Sequence, residues 1–513
     1  MKKHFNERTF TFFTINFIVG LGFLTTISEV VDTGLWGYLI IGLCILTVTG
    51  TGLVFSRMGN AFKDHYGGSY SYARHLDSTL FEEQNPNEPR KIKLKKQIIK
   101  SFCYFVGWNQ FLQSPVLSSI SPLFLSTTFE LVIPKEVNNF YTIIWTIRIT
   151  AFVFFGALIL VSTKGLNVNT KIIYMTSLVK WAFLGIGLFI LLFNVISKSD
   201  QAFLDLSTQA ETKGIKASLI FANVLLFIFA FAGIEDMASM IKDVEFKNFR
   251  KILFISLGIV AVIYLVFYTL LLAGRSILGT EISKIYYIAI GYAGTVIFVL
   301  GFIFNDIGYK ITQTVATARK LIPLALDNHI NPNYANHNKH GEYRNAIILT
   351  AIITFISMII LWLIPTLLSN DTSEKNPYFI AVINVNSVAL LIEDALTTVI
   401  ALLLEKRKQI AKIPLWEKII YITNILWIST LVILVLVPEI LGDSWNQSNT
   451  FTVVVYLAFI LIGYMIKWHW TFKQKRQKIK IRSKKKEIRL IIRKNYAKEN
   501  KRRKIKRTYR ITI

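Results

Sequence analysis

Residues 217–240 read ASLIFANVLLFIFAFAGIEDMASM, and this stretch decides the fold. Its first sixteen residues carry no charge, whereas Gly233 follows them and directly precedes Ile234 and the carboxylates Glu235 and Asp236. A helix needs about 20 apolar residues to cross ~30 Å of hydrocarbon. A glycine in the middle of such a helix marks a point where it can unwind. The stretch therefore predicts a membrane span that is broken near Gly233.

Apolar blocks of similar length recur along the 513 residues, of which 53% are hydrophobic and 17% are charged. Because soluble proteins carry about 25% charged residues, this composition excludes a large water-soluble enzyme. We predict an all-α integral membrane protein with about twelve transmembrane helices. The blocks lie at residues 10–30, 36–56, 101–128, 141–162, 171–195, 217–240, 252–274, 286–309, 346–368, 378–404, 415–438 and 451–469.

The basic residues between these blocks are distributed unevenly. With the N-terminus in the cytoplasm, the cytoplasmic segments carry 49 of the 58 Lys and Arg residues, and the external loops carry 7. Since Lys and Arg accumulate in cytoplasmic loops, both termini are predicted to be cytoplasmic. The first block is too long for a signal peptide and lacks a cleavage site, so it is predicted to be a retained span.

The formal net charge of +27 is concentrated at the C-terminus, where residues 467–513 carry a net charge of +19. We therefore predict a transmembrane permease domain over residues 1–470 and a polybasic cytoplasmic tail over residues 471–513. Such a tail is expected to bind anionic membrane lipid. Binding of nucleic acid, which we consider unlikely, and an unspecified regulatory contact are the alternatives.

Three ionisable residues lie well inside predicted spans: Lys180, Glu235 and Glu393. Because a charge in the membrane interior is costly, each is a candidate functional residue. Lys180 is predicted to titrate and to couple transport to protons; its alternative role is structural, bonding carbonyls of a broken helix. Glu393 either has a structural role or faces a water-filled path. Arg148, near a span end, is predicted to reach the interface.

The first span contains a second glycine interruption, Gly20-Leu21-Gly22. Interrupted spans in corresponding positions of two halves indicate the central site of a transporter. Close helix packing through small residues is the alternative interpretation.

Cysteine and histidine provide no sign of metal or catalytic chemistry. Cys44 and Cys103 each lie in an apolar block, and the seven histidines lie outside the spans or at their edges. A structural zinc site needs four such ligands, so we predict no metal, no cofactor and no enzymatic activity. A channel or a lipid flippase remains an alternative to a transporter.

Five segments together resemble the amino acid-polyamine-organocation (APC) superfamily of permeases, over about residues 10–345. They occur in the family's order, each at the expected span boundary. They are Val19-Gly20-Leu21-Gly22-Phe23 (similar to G-x-G-I-F), Gly67–Arg74 (G-G-x-Y-x-Y-x-R), Gly107-Trp108 (G-W), Phe229–Glu235 (F-A-F-x-G-F-E) and Ala318-Arg319-Lys320-Leu321 with Asp327 (S-R-x-L-x-x-x-A-x-D-G).

The resemblance implies a five-plus-five inverted repeat with broken first and sixth spans. Repeat one would cover about residues 10–195, repeat two about 217–404, and two extra spans about 415–469. It further implies a multi-pass secondary transporter of the cell membrane that moves amino acids by alternating access, as a symporter or an antiporter. The individual amino acid and the oligomeric state do not follow from it.

The resemblance also assigns site residues. The substrate carboxylate would lie on Gly20, Leu21, Gly22 and Phe23, and its amino group would lie on the side lined by residues 229–233. Lys180 resembles the fifth-span lysine that takes the place of a sodium ion in proton-coupled members. Glu235 introduces the hypothesis of a cationic substrate. The residues of the sixth-span stretch are Phe229, Ala230, Phe231, Ala232 and Gly233, with Phe229 as an aromatic gate.

Two segments depart from the family pattern, and both concern closure on the cytoplasmic side. Ser56-Arg57-Met58-Gly59 stands where the family has a glutamate near the end of the second span, and residues 242–247 lack the proline of E-E-x-K-N-P.

Overall fold

The computed structural model describes residues 5–77, 89–133, 136–162, 166–210, 215–338, 343–364, 367 and 377–477. The described chain is almost entirely helical. Its first half contains α1 (Glu7–Ile18), α2 (Leu21–Val31), α3 (Trp36–Ala61), α4 (Gly68–Arg74), α5 (Arg90–Leu117), α6 (Ile120–Val132), α7 (Phe140–Ser162), α8 (Leu166–Ser197) and α9 (Ser199–Ala210).

The second half continues with the same regularity. It contains α10 (Ala217–Ile228), α11 (Ile234–Ser239), α12 (Phe249–Ala273), α13 (Arg275–Leu278), α14 (Ile282–Ile290), α15 (Tyr292–Leu326), α16 (Arg344–Met358), α17 (Pro377–Lys406), α18 (Leu415–Leu436) and α19 (Gln447–Gln477). A parallel pair of two-residue strands, β1 (Phe5–Asn6) and β2 (Val244–Glu245), joins the N-terminus to the segment after α11.

Ten helical segments in the described chain are long and apolar enough to cross a membrane, when α10 and α11 are counted together as Ala217–Ser239, and the bent pair α1–α2 makes an eleventh candidate. This confirms a polytopic membrane protein, and these eleven candidates coincide with eleven of the twelve predicted blocks. The remaining block, residues 101–128, is divided between α5 and α6. The exact number of twelve spans, the inverted repeat and the cytoplasmic termini stay predictions.

Both predicted breaks are present. α1 and α2 are bent by 47° around Val19 and Gly20. α10 is followed by a 3-10 turn over Phe229–Phe231, and α11 begins only after Gly233. Gly233 has a φ of +130°, a conformation that side chains with a Cβ rarely adopt. Glycine therefore permits the sixth-span break at the position that the sequence indicates.

Several helix ends differ from the apolar blocks. α5 begins at Arg90, so this helix includes charged residues that precede the apolar block at residue 101. α15 runs 35 residues to Leu326, past the predicted end at residue 309. α19 extends to Gln477, which makes the start of the predicted tail helical, and residues 478–513 of that tail lie outside the described residues.

Candidate functional site

The two broken spans meet where their helices are interrupted. A Cβ placed on Gly22 would lie 2.7 Å from the carbonyl oxygen of Phe229 and 2.9 Å from Cα of Ala230. A Cβ on Gly233 would lie 2.6 Å from the Phe17 ring. The Gly22 backbone therefore lies closer to the backbone of the sixth-span break, and the Gly233 backbone closer to the Phe17 ring, than a residue with a Cβ would permit. This junction brings the predicted residues of both breaks together, and all of them are buried or half-buried.

Tyr264 of α12 links the two breaks. Its hydroxyl lies 2.7 Å from the carbonyl oxygen of Ala230 and 3.1 Å from that of Ile18, and it shares its proton between them. The ring stacks on Phe23, with centroids 4.4 Å apart. Helix ends leave such carbonyls without a partner, and Tyr264 supplies one at each break. Tyr264 was not among the residues predicted from the sequence. A hydroxyl-bearing side chain within an apolar span could have indicated it.

Replacing Tyr264 with phenylalanine is expected to lower the free energy of unfolding by about 1–3 kcal/mol, because two buried carbonyls lose their donor. The stacked ring is retained, so the change isolates the hydroxyl. Thermal unfolding of the purified protein measures the effect. Tyr141→Phe, which changes a tyrosine that is 73% exposed, is the matched control. An equal midpoint for Tyr264→Phe and the wild type would contradict the bridging role.

The side chain of Lys180 in α8 reaches the C-terminus of α1, which is the first half of the broken first span. It is 3% exposed, and its ammonium donates to the carbonyl oxygens of Asn16, at 2.6 Å, and of Val19. These carbonyls lie at the C-terminus of α1, where the helix dipole favours a positive charge. The contact is the carbonyl bonding that the sequence analysis considered as the structural role of Lys180; proton coupling stays a prediction.

A cavity of ≈ 40 Å³, measured as space open to water centres, lies between Lys180, Gly20, Phe23 and Asn305. A water needs ≳ 10–15 Å³ by this measure, so the cavity holds a few waters and no amino acid. Asn305 lines the break, since a Cβ on Gly20 would lie 2.9 Å from its Oδ1. The lysine therefore has water-sized space on one side and backbone oxygens on the other.

The Glu235 carboxylate accepts a hydrogen bond from the backbone two residues before it. Its Oε1 accepts a hydrogen bond of 2.8 Å from the N–H of Gly233, and the side chain is 3% exposed. One carboxylate oxygen therefore satisfies the first free N–H of the sixth-span break. The contact of Glu235 with a cationic substrate stays a prediction.

Buried polar contacts join segments at the end of the helix bundle that is predicted to face the cytoplasm. Asp243 accepts hydrogen bonds of 2.5 Å from Arg319 and from the Tyr66 hydroxyl. Burial raises the pKa of Tyr66, which keeps this hydroxyl protonated as a donor. The motif segment 242–247, which lacks the family's proline, thus contributes an acidic partner for Arg319.

A second buried polar contact joins α4 to Asp327, the residue that follows α15. Asp327 accepts a 2.7 Å hydrogen bond from the Tyr70 hydroxyl and pairs with Arg74 at 2.9 Å. Burial raises the pKa of Asp327, and its bonds to Tyr70 and Arg74 oppose that shift. These residues come from two separate motifs of the sequence, and the fold brings them into contact. With Asp243, they join segments at the end of the protein that is predicted to face the cytoplasm.

Comparison with known proteins identifies the family of this chain. Residues 5–460 match the family model described as amino acid permease. The chain is 29% identical to the uncharacterized protein MG226 of Mycoplasma genitalium, over 90% of this chain and 94% of that protein. It is 27% identical to MG225 of the same organism, over 91% and 95%. It is also 27% identical to the MG226 homolog of Mycoplasma pneumoniae, over 93% and 97%. The chain therefore belongs to the amino acid permease family of multi-pass membrane transporters.

Proposed function

We propose that this permease is a secondary active transporter that moves an amino acid together with a proton by alternating access. The observation that carries the proposal is the contact of the Lys180 ammonium with the carbonyls of Asn16 and Val19 at the first-span break. A buried ammonium loses water, which favours release of its proton. Binding and release of that proton would change the electrostatics of the break on which a substrate is expected to lie.

The junction of the two breaks supports the proposed location of the substrate. Free N–H groups at the N-terminus of α2, from Leu21 to Phe23, suit a carboxylate. The carbonyls of the sixth-span break suit an ammonium group. A zwitterionic amino acid therefore matches the polarity of the junction. Substrate entry requires these elements to separate, because the adjoining cavity admits only a few waters.

Ligand-induced thermal stabilisation of the purified protein tests the substrate class. A ligand that binds only the folded state raises the unfolding midpoint, so screening the twenty amino acids identifies candidate substrates. We expect stabilisation by a subset of them. A preference for arginine or lysine would support the cationic hypothesis that rests on Glu235, whereas a preference for neutral amino acids would contradict it.

Transport in proteoliposomes tests the mechanism. We expect the identified amino acid to accumulate when the pH gradient drives protons in the same direction. Counterflow, in which unlabelled internal substrate accelerates uptake of labelled substrate, distinguishes a transporter from a channel. Exchange without net accumulation would replace symport by antiport. Uptake that shows neither saturation nor counterflow would favour the channel or flippase alternative.

A further inference from the structure

Four buried carboxylates lie together beside the sixth-span break, and the function proposed above uses none except Glu235. Glu235 and Asp236 belong to α11, while Glu393 and Asp394 belong to α17. Each is between 0% and 7% exposed. Both helices pack against α3 and α4, which bring the two pairs of carboxylates into one region of the protein. We call these four residues the carboxylate cluster.

One basic residue faces the carboxylate cluster. Lys320 of α15, whose side chain is fully buried, pairs with Asp236 at 2.7 Å and donates to the carbonyl oxygen of Gln110 at 2.9 Å. The Asp236–Lys320 pair is neutral as a unit. Three carboxyl groups, those of Glu235, Glu393 and Asp394, are left without an ion-pair partner in the described chain.

Hydrogen bonds stabilise these three groups only in part. Glu393 accepts from the Ser69 hydroxyl at 2.5 Å and from the Gln113 amide at 2.7 Å. Asp394 accepts from the Thr51 hydroxyl at 3.1 Å through Oδ2. These donors are uncharged, so they do not neutralise the negative charges. Uncompensated charges in a low-dielectric interior are far more costly than protonated carboxyls.

Unpartnered polar atoms surround the same place. Oδ1 of Asp394, the Tyr72 hydroxyl and Nε2 of Gln110 are buried and have no hydrogen-bond partner in the described chain. Tyr72 is 2% exposed and lies in the same short helix, α4, as Ser69, which donates to Glu393. Gln110 is completely buried. Buried groups of this kind are normally satisfied, so these atoms indicate that water or protons complete the cluster.

We propose that Glu235, Glu393 and Asp394 form a second proton-binding site, separate from Lys180, which holds at least two exchangeable protons among its three carboxyl groups. Each binding step forms an O–H bond on a carboxylate oxygen with a proton taken from water, and release returns that proton to water. Like-charged groups that interact through a low-dielectric interior titrate as a unit, so the protons belong to the cluster and not to individual residues.

The titratable groups that interact with the cluster lie on α4, α11, α15 and α17. They are Tyr72 of α4, Tyr309 and Lys320 of α15, Asp236 of α11, and the three carboxyls themselves. α3 and α5 contribute the neutral side chains of Thr51, Gln110 and Gln113. Among the described residues, no group of three or more His, Cys, Asp or Glu side chains is placed to hold a metal ion. The ligand that this environment fits is the proton.

The position of the cluster connects proton binding to movement. Glu235 also bonds the N–H of Gly233 at the break, and Asp236 is held through Lys320 to α5 and α15. Loss of a proton would add negative charge to the region where α11 and α17 both pack against α3 and α4, and the repulsion would favour separation of these elements. This coupling step rests on the proposed transport function, whereas proton binding by the cluster does not.

Infrared spectroscopy of the purified full-length protein tests proton binding directly. Protonated carboxyl groups have a C=O stretching band distinct from that of carboxylates, and exchange into deuterium oxide shifts it. At neutral pH we expect such a band from the wild type, and we expect the double variant E393Q/D394N to lose at least about half of its area. Glu439→Gln, which changes an exposed glutamate, is the control and should leave the band unchanged.

Each variant is first checked for a folded, monodisperse state, and the single variants E393Q and D394N replace the double variant if it fails to fold. A protonated band that is absent from the wild type, or unchanged in the folded variants, would overturn the proposal. If the wild type transports no amino acid, the proposed function fails while the infrared result still decides proton binding. In a transporting protein, E393Q/D394N should lose uptake driven by a pH gradient and retain substrate exchange.

Discussion

Uptake driven by a pH gradient is expected to be lost when Lys180 is replaced by alanine. The ammonium is the titratable group that contacts the first-span break, through the carbonyls of Asn16 and Val19. Its removal leaves two buried acceptors without a donor, at a cost of about 1–3 kcal/mol each. The variant should therefore show both a lower unfolding midpoint and no accumulation of substrate in proteoliposomes.

Lys180→Arg separates the coupling role from the structural role. Arginine keeps a positive charge and several donors but does not release its proton in proteins. If Lys180 couples transport, the arginine variant should lose pH-driven uptake while it keeps more stability than the alanine variant. If the role is structural alone, arginine should preserve uptake.

The matched control is Lys198→Ala, which changes an exposed lysine directly after α8. This variant should behave as the wild type. Sodium-driven uptake that is insensitive to pH would contradict proton coupling through Lys180.

Substrate affinity is expected to fall about 5- to 150-fold when Gly22 is replaced by alanine. The new methyl group would lie 2.7 Å from the carbonyl oxygen of Phe229 and 2.9 Å from Cα of Ala230, both of which are backbone atoms. The two breaks must move apart to accept it. Overpacking of this kind costs about 1–3 kcal/mol, and 1.4 kcal/mol corresponds to a factor of ten in affinity.

Ligand-induced thermal stabilisation, titrated with the amino acid identified in the screen, measures the change at Gly22. Gly258→Ala is the matched control, because a Cβ there meets nothing within 4 Å and alanine is favourable in a helix. We expect the control to bind substrate as the wild type does. Unchanged affinity in Gly22→Ala would show that the substrate does not use the junction of the two breaks.

Much of the site followed from local sequence. Gly233 interrupts an apolar helix, and the break lies there because its φ of +130° suits glycine. Lys180 was identifiable because an ammonium in a span needs oxygen partners, and the structure provides them at the end of α1. These positions could be recognised in the sequence because the membrane permits few polar groups and few interruptions, so each exception is conspicuous.

Other features could not be inferred from local sequence. Tyr264 bridges carbonyls of two helices that lie distant in sequence, at Ile18 and Ala230. Nothing next to Tyr264 in the chain indicates those partners. The extension of α5 to Arg90 was missed for a different reason, because hydropathy detects only the part of a helix that can lie in lipid.

By itself the sequence determined the polytopic helical architecture, the two breaks and the isolated charged residues, because hydrocarbon imposes length and polarity limits that act residue by residue. Only the tertiary structure decided which charges meet. It paired Asp236 with Lys320, joined Glu393 to Ser69 and Gln113, and left three carboxyls without a basic partner in the described chain. Such contacts depend on helix packing in three dimensions, and packing places together residues that no sequence spacing relates.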